Sequence, residues 1–389
     1  MKKVLVLDAN QRSALAVTRS LGKCGVIVIT ADETAASLAG SSRFAHENQR
    51  YPGPATNPDE FIAAIAELIK SENIQLILPM TELTSNLLLH NQDQLPNDTH
   101  LPFPDVATID SLSNKCALMK LARSLAVPIP QTWFADNPDD LPVTLESLDY
   151  PLVLKPGKSW IRAKGSWLHT SVQLAKNPKQ AKEILSTDPA FKAHPFMLQE
   201  CVPGRGQGVF AIYNRGKPIA FFSHRRLREK PPWGGVSVLS ESTGVDPILL
   251  KHAKSLLDAA NWHGVAMVEF KVDGDTPYLM EINTRFWGSL QLAIDAGVDF
   301  PWLLYQIAYS QPLDPIKNYK TGVRLRWLLG DLDHLYLILR DKKVGTSKKL
   351  RAIACFLTPN LRTRHEVNRW GDLRPFTWEL KEYLRNTLK

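Results

Sequence analysis

The sequence predicts an α/β protein whose N-terminal part is a parallel sheet with helices and whose later part is α+β. Three sets of residues carry that expectation. Residues 4–7, 26–30 and 74–79 are short apolar runs, and helical spacing at 13–24 and 61–70 separates them. Continuous apolar runs suit buried parallel strands, and strand, helix, strand in this rhythm makes a parallel layer. Further on, residues 208–213 and 218–223 alternate like two strands around Asn214, Arg215, Gly216 and Lys217. Last, 265–272 and 278–285 flank Asp273, Gly274 and Asp275, which is turn chemistry between two strands.

Bulk properties narrow the class. The 389 residues, 44% hydrophobic and 22% charged, leave room for two or three domains. A formal charge of +8 allows a polyanion partner. The cations are spread along the chain, however, so no nucleic acid is expected. Cys24, Cys116, Cys201 and Cys355 are far apart and form no C-x-x-C. A thiolate zinc site or disulfide framework is therefore not indicated, and a reducing, cytoplasmic setting is expected. The N-terminal apolar run is too short for a signal peptide. No stretch approaches the ~18 apolar residues of a membrane span. No repeat or low-complexity segment is visible.

The first strand–turn–helix invites a dinucleotide reading. The loop after Leu7 contains no glycine, so a pyrophosphate could not approach the backbone as the G-x-G-x-x-G turn allows, and that reading is rejected. Thr81 and Glu82 follow the third strand at its carboxyl end, where open α/β sheets bind ligands. Thr81 is equally suited to capping the next helix.

The hairpin at 265–285 holds the most chemistry. Alternation puts Ala266, Val268, Phe270 and Val272 on one face of its first strand, and Glu269 and Lys271 on the other. On the return strand Tyr278, Met280, Ile282 and Thr284 are expected to share a face, opposite Glu281, Asn283 and Arg285. Glu281 and Asn283 stand roughly 6–7 Å apart along the strand, close enough to converge on a hard cation, which takes oxygen ligands. Glu269 joins them only if the loop between facing residues is odd; an even loop would turn it away. Arg285 could hold a phosphoryl or carboxylate oxygen bidentately. Glu-x-Asn alone is also common on solvated strand faces.

These residues resemble the metal-binding strands of the ATP-grasp superfamily, and the Arg285-Phe-Trp-Gly-Ser289 run is close to its branch of predicted carboxylate–amine ligases. The resemblance covers about residues 110–300 and, loosely, the N-terminal part. It implies a pre-ATP-grasp domain at 1–107, a two-lobed ATP-grasp domain at 108–310 with lobes 108–195 and 196–310, and a basic extension of unknown role at 311–389. It implies ATP and Mg²⁺ as cofactors, Mn²⁺ being an alternative, with Glu269, Glu281 and Asn283 as metal ligands. Lys115, near the start of a helix read over the stretch after Asp110, and Lys155, ending a strand, match the phosphate-binding lysines. Glu200 and Val202 match the hinge that lines adenine, and Gln207 stands where the ribose is held. Arg285 is the matching catalytic cation. Arg225 or Arg226, among cations read as ending a strand, would help bind phosphate and carboxylate, and the helix start at Gly288 and Ser289 could bind an anion. His224 is a base only by position. The 157–167 lid has just two glycines, Gly157 and Gly165, with cations between them. Those cations could replace backbone donors, bind a charged acceptor, or be plain surface.

The implied activity is ATP-dependent joining of a carboxylate to an amine through an acyl phosphate. Small carboxylate and amine partners, no membrane span and a homodimer are compatible with it. Two alternatives stay open: a nucleotide-binding regulator or scaffold with reduced catalysis, and a carboxylate–thiol ligase or phosphotransferase. Residues 321–330 read as a strand and the rest of the C-terminal stretch as helical patches with basic runs.

Overall fold

The computed structural model describes residues 2–163, 166–232, 234–358 and 363–387. Lys164 and Gly165 of the predicted lid, and Trp233 after the cationic run, lie outside the described residues. The first sheet holds β1 (Lys3–Val6), β2 (Ile27–Asp32), β3 (Glu47–Arg50) and β4 (Ile74–Leu78), all parallel, in the order β3-β2-β1-β4. β3 has the sequence ENQR and no apolar residue, so hydrophobic patterning could not reveal it; it sits at an edge, where water can serve its polar side chains. Helices Arg12–Lys23, Pro58–Glu72 and Glu82–His90 cover this sheet.

The second sheet combines β5 (Thr132–Ala135), β6 (Leu152–Pro156), β9 (Gln173–Ala175) and β10 (Phe196–Glu200) in the order β5-β10-β6-β9, with β7 (Trp160–Ala163) and β8 (Ser166–His169) as a separate ribbon. The third sheet has seven strands: β11 (Arg205–Asn214), β12 (Lys217–Lys230), β13 (Val236–Thr243), β14 (Gly264–Asp273), β15 (Thr276–Asn283), β16 (Arg324–Arg326) and β17 (Thr363–His365), ordered β15-β14-β11-β12-β13-β16-β17. An apolar core joins Phe210, Ile212, Phe222 and Trp287 to the helix at Arg12–Lys23, and a second lies under Ala266, Val268, Phe270, Leu279 and Ile282.

Three local expectations need correction. The strand read over 218–223 is longer, because β12 runs on through the cations at 224–230 and ends at Lys230. Residues 321–330 are not one strand: β16 has three residues, and the helix Leu328–Arg340 follows directly. The helix read after Asp110 is two helices, Val106–Ser113 and Lys115–Ser124. Asn114 breaks it by capping the second, its side chain accepting from the amides of Cys116 and Ala117.

The C-terminal residues are bound into the body by buried ion pairs. Arg19, 2% exposed, donates to Asp372 at 2.7 Å and to the carbonyls of Glu366, Val367 and Asp372. Asp372 also accepts from Ser42 Oγ and the Arg43 amide. Arg369 pairs with Asp295, and Asp331, fully buried, takes both Arg326 and Arg228. Removing one member strands a buried charge, which costs about 3–5 kcal/mol. Asp372→Ala is therefore expected to lower unfolding stability by about that amount, measured by urea denaturation, whereas cutting an exposed pair such as Lys182–Glu146 leaves the midpoint almost unmoved.

Candidate active site

The β14–β15 hairpin turns through two residues, Gly274 and Asp275, between the paired Asp273 and Thr276. An even loop should have turned Glu281 to the core face. Instead the ladder slips once: Phe270 pairs with Leu279 but Glu269 with Glu281, so Met280 is an extra residue. This β-bulge restores the facing that the loop alone denies. It also corrects the expected faces of the return strand. Leu279 and Ile282 enter the core, while Tyr278 and Met280 are only half-buried.

Around Glu269 and Glu281 the fold gathers cations from four directions. Arg226 on β12 reaches Glu269 at 3.2 Å and Glu229 at 3.2 Å. Lys115, made the first residue of its helix by the Asn114 cap, lies 3.8 Å from Glu281 and donates to Ser159 Oγ at 3.1 Å. Lys155 on β6 is buried, and burial pushes its ammonium down to about 8; the carboxylate of Glu281 resists that fall and Lys115 adds to it. Glu269 keeps 23% of its side chain accessible, yet its carboxyl is deep in the crevice. Burial first, then Glu281, push it up to about 7, against the pull of Arg226 and Arg285. The Asn283 amide donates to Glu281 at 3.2 Å and to Glu269 at 3.4 Å. Arg285 donates to the carbonyl of Phe286 at 2.9 Å.

Two cavities meet at this ridge. One, about 340 Å³, is lined by Arg12, His224, Arg226, Glu269 and Ser289; the other, about 330 Å³, by Thr81, Glu82, Lys115, Ser159, Trp160 and His169. Glu281, Asn283 and Arg285 belong to both. Among the described residues no three His, Cys, Asp or Glu side chains cluster as a metal cage. The donors available are two carboxylates and an amide, a set suited to an ion whose shell is completed by phosphate and water.

The remaining sequence candidates fall elsewhere. Arg225 projects from the opposite face to Arg226 and pairs with Glu241, which also holds Arg324. Glu200, Val202 and Gln207 line neither cavity. The Glu200 carboxylate accepts from the Gln131 amide, the Val202 carbonyl accepts from Lys271 Nζ at 2.9 Å, and Gln207 sits in the β11 ladder opposite Phe270 and Arg225. Thr81 caps its helix, accepting from the Thr84 amide. His224 is buried, stacked 4.8 Å from Phe210, with Nε2 2.9 Å from Ser289 Oγ. Burial and then Arg226 push it down to about 3, so it packs as a neutral ring. The helix after Ser289 has only seven residues.

Sequence reasoning missed Arg12, Trp160 and His169 as lining residues. Arg12 was within reach: it follows β1 at the carboxyl end of the sheet, the place where such sheets bind ligands. Its guanidinium is held by Glu366, 354 positions away, and lies over the Trp327 ring at 4.0 Å. No sequence signal links those partners.

Comparison with known proteins agrees with this architecture. Residues 192–330 match the family model described as ATP-grasp in the biosynthetic pathway with Ter operon. Among solved structures, biotin carboxylase from Campylobacter jejuni superimposes with a TM-score of 0.63 at 17% identity, covering 83% of this chain and 74% of that one. L-amino acid ligase from Bacillus licheniformis gives 0.60 at 16%, covering 81% and 75%. N5-carboxyaminoimidazole ribonucleotide synthetase from Thermus thermophilus gives 0.58 at 17%, covering 80% and 79%. At these identities the likeness is one of fold. The chain thus shares the fold of these enzymes, and its residues 192–330 match an ATP-grasp family model.

Proposed function

We propose that the protein is an ADP-forming carboxylate–amine ligase, and the observation that carries the reading is the facing of Glu269 and Glu281 beside Asn283 within a ring of Lys115, Lys155, Arg226 and Arg285. Two carboxylates so close repel one another and are costly without a counter-charge. A divalent cation relieves that repulsion, and the fit is good: Glu269, Glu281 and Asn283 would hold Mg²⁺, the amide turning its oxygen inward. When bound, Mg²⁺ neutralises charge on phosphate oxygens.

The chain's own residues would then do the following. Lys115 and Lys155 bind phosphate oxygens, and Lys271 ties the hinge at Val202 to the metal-bearing hairpin. A substrate carboxylate oxygen attacks the γ-phosphorus of ATP, forming an acyl phosphate and releasing ADP. Arg226 and Arg285 steady the moving charge, which is the main demand of phosphoryl transfer. An amine then attacks the acyl carbon, its proton passes to solvent, and phosphate departs. No protein nucleophile is needed. The similarity to an L-amino acid ligase supports an amino acid as one substrate class.

The test is ADP release and product mass over a panel of amino acids, other carboxylates and amines. Mg²⁺-dependent turnover with a C–N bonded product is expected, and Glu281→Gln should reduce it by roughly 100-fold or more. A folded protein that binds MgADP but turns over no acid–amine pair would instead be a nucleotide-binding scaffold. The two arginines separate cleanly: Arg226→Ala should cost roughly 100-fold in kcat/KM, while Arg225→Ala, on the far face, should stay within about threefold. Binding should also sense pH through Lys155. Its ammonium is lowered to about 8 in the free protein, and a phosphate favours the charged form. MgADP affinity should therefore be full below pH 8 and fall by up to roughly tenfold per unit above it. Calorimetry from pH 7 to 9 reads this, and Lys155→Arg should flatten the dependence.

A further inference from the structure

A cavity of about 690 Å³ near the C-terminal segment shares no lining residue with the two that meet at Glu281. Its walls come from two sources distant in sequence: Lys23, Arg43 and Phe44 on one side, and residues 363–376 on the other. Its charge is lopsided. Arg19 and Asp372 neutralise each other, and Arg369 is taken by Asp295 outside the cavity. Among the described residues Lys23 and Arg43 have no carboxylate within ion-pair reach, and Arg364, 57% exposed, has only a 3.5 Å approach to the already engaged Asp295. Two cations therefore face one space with no carboxylate in ion-pair reach, and a third, Arg364, only shares one. Like charges held close without an anion are unfavourable, and a bound anion removes the penalty.

The rest of the wall is aromatic. Trp370 is 95% exposed, an unusual state for so large an apolar ring. Phe44 lies under the Arg43 guanidinium at 4.8 Å, and Phe376 completes the wall. His365 Nδ1 and Asn368 Oδ1, on lining residues, are buried without a hydrogen-bond partner among the described residues. Cations for phosphate or carboxylate oxygens beside an uncovered indole make a site for a planar group bearing two or more negative charges. We propose that this cavity binds a small aromatic polyanion, of the aryl phosphate type, independently of the crevice at Glu281. Its ligand would bridge the helix Arg12–Lys23 and the C-terminal segment, two parts already joined by Arg19 and Asp372.

Phenyl phosphate and inorganic phosphate, titrated calorimetrically into the full chain at low salt, test the idea. Phenyl phosphate should saturate and bind roughly tenfold tighter than phosphate, the difference being the ring's stacking. Lys23→Ala with Arg43→Ala should weaken both by about tenfold or more, whereas K23R with R43K, which keeps both charges, should retain them. Trp370→Ala should remove only the advantage of the ring. Lys155→Met, which weakens the other crevice, should leave in place the binding that depends on Lys23 and Arg43. Absence of saturation at millimolar phenyl phosphate would overturn the proposal. So would binding that survives loss of Lys23 and Arg43, or that disappears with Lys155.

Discussion

Everything in the crevice depends on two carboxylates being made to face each other across adjacent strands. Left to the two-residue turn at Gly274 and Asp275, Glu281 would point into the apolar layer beneath β14 and β15. The extra residue at Met280 prevents that by resetting the alternation at one step. The cost is burial of the carboxyl and, after it, repulsion from Glu281, which push Glu269 up to about 7. The surrounding cations answer it unequally. Arg226 sits at hydrogen-bond distance from Glu269, while Lys115 approaches Glu281 only to 3.8 Å. Glu281 thus has the longer ion-pair approach of the two, and it is also the one shared by both cavities. A carboxylate at the meeting point of two spaces is what a site for a cation and its phosphate requires.

Much of this was legible from residue order, for reasons specific to each residue. The parallel layer could be read because β1, β2 and β4 are short apolar runs; β3 could not, because ENQR at an edge has no apolar periodicity. Glu269, Glu281 and Asn283 were recognisable as a set, but their facing was not. Bulges depend on how two strands accommodate each other, and no residue in 278–283 marks one. Arg225 and Arg226 were indistinguishable as neighbours in a cationic run. Alternation along β12 separates them at once when the strand is seen to continue to Lys230. The split before Lys115 was readable in principle, since Asn followed by a helical run is a cap signal.

The C-terminal stretch was the least legible part, and for a different reason. Its contributions are single side chains acting over hundreds of positions. Glu366 holds Arg12 in the crevice, Asp372 holds Arg19, and Asp331 gathers Arg326 and Arg228. An isolated Asp or Glu in a basic, weakly patterned segment reads as solvated charge. Burial changes its meaning, because a buried carboxylate must find a partner. The basic C-terminal extension, whose role the sequence left open, therefore supplies the acids that fix two arginines of the first helix. One of those arginines lines the same cavity as Glu269.

The glycine-poor lid follows from the same economy of partners. A lid that covers phosphates with backbone amides needs glycine so that the chain can approach closely. Here β7 and β8 form a regular ribbon with aromatic anchors instead. Trp160 and Trp167 pack against the core of the first sheet, the Trp167 amide donates to the Ala55 carbonyl at 2.9 Å, and Trp160 meets His169 edge-on at 5.0 Å. Full burial of a large apolar side chain is worth about 1.5–3 kcal/mol, and both indoles are only half-buried, so each holds the ribbon by less than that. Two such contacts and one hydrogen bond hold the ribbon by a few kcal/mol at most. The ribbon is thereby coupled to the N-terminal sheet. Trp160 and His169 line the cavity that also contains Thr81 and Glu82, so whatever fills that space touches the ribbon and the first sheet at once.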